Sequence, residues 1–201
     1  MNRRHFLVSA SAAASQSWAG ANDRVRVAVV GVGSRGSAHI REILPVANME
    51  VAALVDPDGQ RTEAAASVVF KKTGKTPRIE SDMRRIFDSK EIDAVTIATT
   101  NHWHTLTAIW AMQAGKDVYV EKPCSHNVHE GRVMTQWARK LGRMCQMGVQ
   151  SRSMTGMRDA LDFIHSGKIG DVKFARAICY RLRNSIGLVD TPAPVPEGLD
   201  L

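Results

Sequence analysis

One hexapeptide constrains this chain more than any other feature. Gly31-Val32-Gly33-Ser34-Arg35-Gly36 has the spacing G-x-G-x-x-G. The spacing alone is common, but its setting here is specific. It directly follows Val25-Arg26-Val27-Ala28-Val29-Val30, whose composition predicts a buried strand. It opens a stretch from Ser34 to Leu44 that reads as a helix stopped near Pro45. In such a strand–turn–helix, Gly31 allows the tight turn and Gly33 lets a pyrophosphate approach the backbone. Gly36 lets the helix pack closely on the strand. The helix start at Ser34 and Arg35 offers free N–H groups and a partial positive charge to phosphates. The alternative is a glycine turn without a ligand.

Asp56 weighs against that alternative. It ends the next expected strand, Glu50 to Val55, 20 residues after Gly36. A carboxylate there accepts hydrogen bonds from an adenosine ribose and repels a 2′-phosphate. NAD is therefore expected over NADP, with nearby Arg61 keeping NADP as the lesser alternative. Asp58 reads as the turn residue after Pro57.

The alternation then continues. Gln60 to Lys72 reads as a helix closed by Gly74, and Met83 to Asp88 as a short helix. Ala94 to Thr99 reads as a strand, Thr105 to Ala114 as a helix ended by Gly115, and Asp117 to Val120 as a strand. A helix from about Asn127 to Leu141 and a strand from Met144 to Gly148 complete the pattern. Strands alternating with helices imply an α/β fold with a doubly wound parallel sheet of the Rossmann type.

The 201 residues suffice for one domain and part of a second. Residues 1–21 read as a signal segment, 22–150 as the nucleotide-binding domain and 151–201 as the start of a substrate domain. No run of 18 apolar residues exists, which excludes a spanning helix. Three cysteines are too few and odd in number for a disulfide scaffold. The net charge of +7 would suit nucleic acid, yet the basic residues are scattered and no aromatic cluster accompanies them. At the N-terminus, Asn2-Arg3-Arg4-His5-Phe6-Leu7 resembles a twin-arginine signal, with a small-residue site at Ala19-Gly20-Ala21. Export of a folded protein to a bacterial periplasm is the expectation.

Two further segments fall at carboxyl ends of expected strands, the ligand edge of an open α/β sheet. They are Thr99-Thr100-Asn101-His102-Trp103-His104 and Gly115-Lys116-Asp117-Val118-Tyr119-Val120-Glu121-Lys122-Pro123. With the glycine motif, they make the chain resemble the Gfo/Idh/MocA oxidoreductases from about Arg24 to Gln150. The family carries T-P-N-x-x-H and G-K-x-V-x-x-E-K-P in this order; Thr100 departs from its usual proline. The resemblance implies an NAD-dependent oxidoreductase of a sugar, sugar derivative or cyclitol, acting as a homo-oligomer when full length. Thr99, Asn101 and His104 would line the nicotinamide end of the cleft. Glu121 would help hold the nicotinamide side, and Gln150, in a Gln-x-Arg stretch with Arg152, would lie near the active site. Lys122 would reach the reacting hydroxyl, followed by Pro123 in a cis peptide. A lysine beside a cationic nicotinamide is a usable acid–base.

Other constellations are weaker. His102-x-His104 lacks a further ligand at metal spacing, and His126-x-x-His129-Glu130 has the wrong order for a zincin, so no metal is expected. Cys124 has no His partner set by sequence, and His39 reads as structural. Lys173 to Arg183 reads as the first strand of the second domain, followed by a proline-rich loop from Thr191 to Gly198. The chain thus reads as a fragment of the family's length, without turnover alone. An NAD-dependent glycosidase of the same superfamily and a non-catalytic nucleotide-binding remnant are the alternatives.

Overall fold

The computed structural model describes residues 24–179, 185, 187–188, 191 and 194–200. The expected signal segment and residues 180–183 of the expected last strand lie outside them. Six strands form one parallel sheet: β1 (Val25–Val30), β2 (Met49–Val55), β3 (Arg78–Glu80), β4 (Ala94–Ile97), β5 (Asp117–Val120) and β6 (Cys145–Met147). Their order is β3-β2-β1-β4-β5-β6. β1 therefore lies centrally, and the chain winds outward from it in both directions. Crossover helices are α1 (Ser34–Ile43), α2 (Gly59–Thr73), α3 (Arg84–Phe87), α4 (His104–Gln113) and α5 (Val128–Leu141).

The near-continuous apolar run of β1 is explained by its burial on both faces. Val27 and Val29 point into a core with Ile40 and Ile43 of α1 and Ala65, Ala66 and Val69 of α2. Ala28 and Val30 point into the opposite core with Ala108, Ala111 and Met112 of α4 and Met134 of α5. Caps set the helix limits. Asp58 accepts from Arg61 N at 3.2 Å, and Gly74 closes α2 with φ of 72°. Asn127 accepts from Glu130 N at 3.0 Å while Glu130 accepts from His126 N at 2.8 Å, which fixes the start of α5. This capping role accounts for the misordered His126–Glu130 cluster.

Two differences from the sequence expectation stand out. Residues 173–179 pair with no strand among the described residues, because no neighbouring strand supplies a ladder. A helix not expected from the sequence, α6 (Thr155–His165), instead follows β6. Its Met157, Leu161 and Ile164 recur at helical spacing and are exposed.

Candidate functional site

The site is built at the carboxyl ends of β1, β2, β4 and β5. The first turn is dictated by glycine. Gly31 has φ of +85°, and a Cβ there would lie 2.6 Å from Ala98 O, so the turn after β1 presses against the end of β4. A Cβ on Gly36 would lie 1.9 Å from Gly31 O, which holds α1 tightly on its own loop. Gly33 starts α1 with no side-chain cap, leaving the first amides of the helix unclaimed by a cap. Around Gly33 only Arg61 Nη1, 3.4 Å from a notional Cβ, comes close. Arg35 Nη2 is buried without a partner. An uncapped helix start, open backbone and an orphaned guanidinium nitrogen fit a dinucleotide diphosphate.

Asp56 stands at the end of β2 as expected. Its Oδ2 accepts from Val32 N in the glycine loop at 2.7 Å, and its Oδ1 accepts from Asp58 N at 3.0 Å. The carboxylate is thereby fixed beside the loop, with lone pairs left for a ribose diol. Arg61 is paired with Asp58 at 2.8 Å, so its charge is partly spent before any 2′-phosphate could claim it.

Glu121, expected to help hold the nicotinamide side, and His104, expected to line its end of the cleft, are both buried. Glu121 is only 4% exposed. Its Oε1 accepts from Arg35 Nε at 2.6 Å, from His39 Nε2 at 3.0 Å and from Gln150 Nε2; its Oε2 accepts from Lys122 N at 3.2 Å. Burial opposes ionisation of this carboxyl. Burial is the largest single influence, but the hydrogen bonds from Arg35, His39 and the Lys122 amide, with the Arg35 charge, together hold it below the usual carboxylate range. The same bond raises the Arg35 pKa. Glu121 is thus the hub that ties α1, β5 and the segment after β6 together. Gly148 leaves room for it: a Cβ there would lie 2.9 Å from Tyr119 Oη and 3.1 Å from Glu121 Oε1. Gln150 belongs to this hub, and so does His39, whose ring also meets Tyr119 edge-on at 5.5 Å.

His104 is 1% exposed. Its Nδ1 lies 2.6 Å from Pro123 O and its Nε2 3.1 Å from Thr99 O. Both partners are carbonyl acceptors, so the ring donates from whichever nitrogen carries hydrogen and holds the ends of β4 and β5 side by side. Thr99 supports this clamp through its carbonyl, while Asn101 is exposed in the 3-10 turn Asn101–Trp103. Lys122 is exposed at the same edge, immediately beyond buried Glu121 and before a cis Lys122–Pro123 bond.

Sequence reasoning read His39 as structural without finding its partner Glu121, and it missed Gly148. The available signal was a histidine on the apolar stripe of α1, next to Ile40. A cavity of about 500 Å³ lies elsewhere, between α5 and β6, lined by Cys124, Met134, Cys145 and Met147 among others. Burial pushes the Cys145 thiol up to about 11, which suits packing rather than nucleophilic chemistry. No metal-binding cluster occurs among the described residues. None of their helices is long and apolar enough to cross a membrane.

A central β1, a glycine loop opening α1 and an acid ending β2 define a dinucleotide-binding domain of the Rossmann class. Residues 25–149 match the Gfo/Idh/MocA oxidoreductase family with its NAD-binding Rossmann fold, and the chain belongs to that family. It is 30% identical over 156 residues to an inositol 2-dehydrogenase of Saccharopolyspora erythraea, covering 77% of this chain and 44% of that protein. It is 29% identical over 159 residues to a glycosyl hydrolase family 109 protein of Akkermansia muciniphila, covering 77% of this chain and 33% of that protein. A solved scyllo-inositol dehydrogenase of Lactobacillus casei, with bound NAD(H) and scyllo-inositol, superposes with a TM-score of 0.65 at 25% identity. That match covers 74% of this chain and 43% of the other. The chain spans less than half the length of these relatives.

Proposed function

We propose that this chain is the cofactor-binding part of an NAD-dependent oxidoreductase acting at a secondary alcohol of a sugar, sugar derivative or cyclitol. The observation that carries the reading is the position of Lys122. It is exposed at the sheet edge shared with the glycine loop, on a backbone whose amide is fixed by the buried Glu121 carboxylate. The amides of α1 and Arg35 would hold the diphosphate, and Asp56 the adenosine ribose. When bound, the nicotinamide would accept the hydride. Lys122 would take the hydroxyl proton as the carbonyl forms and return it in reverse. Asn101 would border the nicotinamide. The His104 clamp would keep the strand ends from spreading.

The inositol dehydrogenases among the relatives support a polyhydroxylated ring as substrate. A second reading, an NAD-dependent glycosidase, is supported by the names of the glycosyl hydrolase family 109 relatives. Incubation of the whole enzyme with NAD and a panel of cyclitols, free sugars and glycosides separates the two. Net NADH formation supports the dehydrogenase; glycoside cleavage without net NADH replaces it with the glycosidase. In the same assay, Lys122→Met should lower turnover by ~10²–10⁴, the usual worth of a general acid–base group. Near-normal turnover would remove Lys122 from the chemistry.

Export through a twin-arginine signal and assembly into a homo-oligomer belong to the same proposal. Conversion of Arg3 and Arg4 to Lys should leave a folded reporter fusion in the cytoplasm. Undiminished export would reject the signal.

A further inference from the structure

The glycine loop, Asp56 and Lys122 address the dinucleotide from diphosphate to nicotinamide, but they leave the adenine side without a wall. A segment far downstream docks on the loop that follows Asp56. Asp58 and Leu199 form an antiparallel bridge. Gly59 N donates to Gly198 O at 3.3 Å, and Asp200 N donates to Pro57 O at 2.9 Å. Leu199 N donates to Pro196 O at 3.3 Å and folds the segment into a turn. Asp200 Oδ2 accepts from Ser81 Oγ at 2.5 Å, which ties the same turn to the residue after β3. Leu199 is half-buried while its neighbours are exposed. Residues 196–200 are thus fixed to the loops that leave β2 and β3, and the first of those loops carries Asp56.

The side on which they dock decides what they can do. The Asp56 carboxylate turns towards Val32 N in the glycine loop. The polar contacts of the downstream segment are to residues 57–59 and 81, and none is to the glycine loop. The segment therefore stands across Asp56 from the diphosphate position. In a doubly wound domain the adenosine runs out from the glycine loop past the acid at the end of β2.

We propose that residues 196–200 form the outer wall of the adenosine pocket and bind the adenine nucleoside half of the cofactor. Leu199 brings a half-buried apolar side chain to a flat heteroaromatic ring. Asp200, held by Ser81, adds a second carboxylate on this side and opposes a 2′-phosphate. The proposal uses the NAD-binding fold and is independent of the redox chemistry proposed above.

The test measures binding by three variants of the whole chain: one ending at Val195, Asp200→Pro and Ser81→Ala. Asp200→Pro removes both the amide donor to Pro57 and the acceptor from Ser81. NADH is titrated by fluorescence, and ADP-ribose and nicotinamide mononucleotide by calorimetry, with thermal unfolding recorded alongside. The first two variants should weaken NADH and ADP-ribose about five- to tenfold, the worth of one or two polar contacts. Nicotinamide mononucleotide, which lacks adenosine, should bind as before. Ser81→Ala, which leaves every backbone contact in place, should cost about two- to threefold and carries the test if the others fail to fold. Unchanged NADH affinity in the folded variants would make the docking incidental. Tighter binding would make the segment a plug rather than a wall. A wild-type chain that binds no NADH would overturn the cofactor assignment, and the wall with it.

Discussion

Glu121→Gln isolates the hub that joins the glycine-loop helix to Lys122. The substitution keeps size and one carbonyl oxygen but removes the charge and places an NH2 among donors. Arg35 Nε, His39 Nε2, Gln150 Nε2 and Lys122 N all donate to this carboxylate, so at least one donor loses its acceptor. A hydrogen bond to a charged group is worth about 1.5–3 kcal/mol, and unpairing a buried charge about 3–5 kcal/mol. Arg35 is about a third exposed and can recruit water, which lowers the cost. We expect a loss of about 2–4 kcal/mol at neutral pH, or roughly 5–15 °C in unfolding midpoint for a domain of this size. The pH dependence has a definite sign. The folded carboxyl titrates below its unfolded value, so its stabilisation is fully present above the ordinary carboxylate range. It disappears as pH falls through the folded pKa. Urea unfolding of both proteins from neutral to acidic pH should show a gap that narrows in acid. Equal stability at neutral pH, or a gap that stays constant into acid, would refute the hub.

Three other outcomes follow from the geometry. Asp56→Ala should weaken NADH by ~1–2 kcal/mol and NADPH by less, since a lost charged hydrogen bond matters only where no phosphate is repelled; equal losses by fluorescence titration would reject Asp56 as the ribose reader. Gly36→Ala places a Cβ 1.9 Å from Gly31 O, so α1 must move; calorimetric unfolding should show a loss of about 1–3 kcal/mol and titration a weaker NADH complex. Gly148→Ala places a Cβ 2.9 Å from Tyr119 Oη and crowds the Glu121 hub; it should lower the unfolding midpoint while adding little to the loss in Glu121→Gln, because both act on one network.

The parts of this molecule visible in the sequence are those whose physics is local. Gly31, Gly33 and Gly36 impose a turn within six residues, and Asp56 follows from the length of one strand–helix unit. The span of β1 agrees with the expectation because its valines face two cores. β3 has only three residues, too short for a period-two signal. The helix α6 has Met157, Leu161 and Ile164 at the right spacing, but Gly156 in its first turn obscured it. The burial of Glu121 and His104 was beyond local reading. His39 and Glu121 are 82 residues apart, and only the sheet order brings α1 to the end of β5. Motif position placed both residues at the correct edge, while the direction in which each side chain points is set by those distant partners.

The central claim is that Lys122 lies beside the nicotinamide of a dinucleotide held by the glycine loop and Asp56. Acylation of Lys122 by an amine reagent, followed by peptide mass spectrometry, tests this in the chain itself when run with saturating NADH or saturating ADP-ribose. ADP-ribose fills the diphosphate and adenosine positions but has no nicotinamide. The account predicts that NADH slows Lys122 acylation at least severalfold, that ADP-ribose leaves it nearly unchanged, and that Gly36→Ala raises the NADH concentration needed for the effect. Equal protection by both ligands, or protection by neither at demonstrated saturation, would contradict the placement of Lys122 and with it the proposed chemistry.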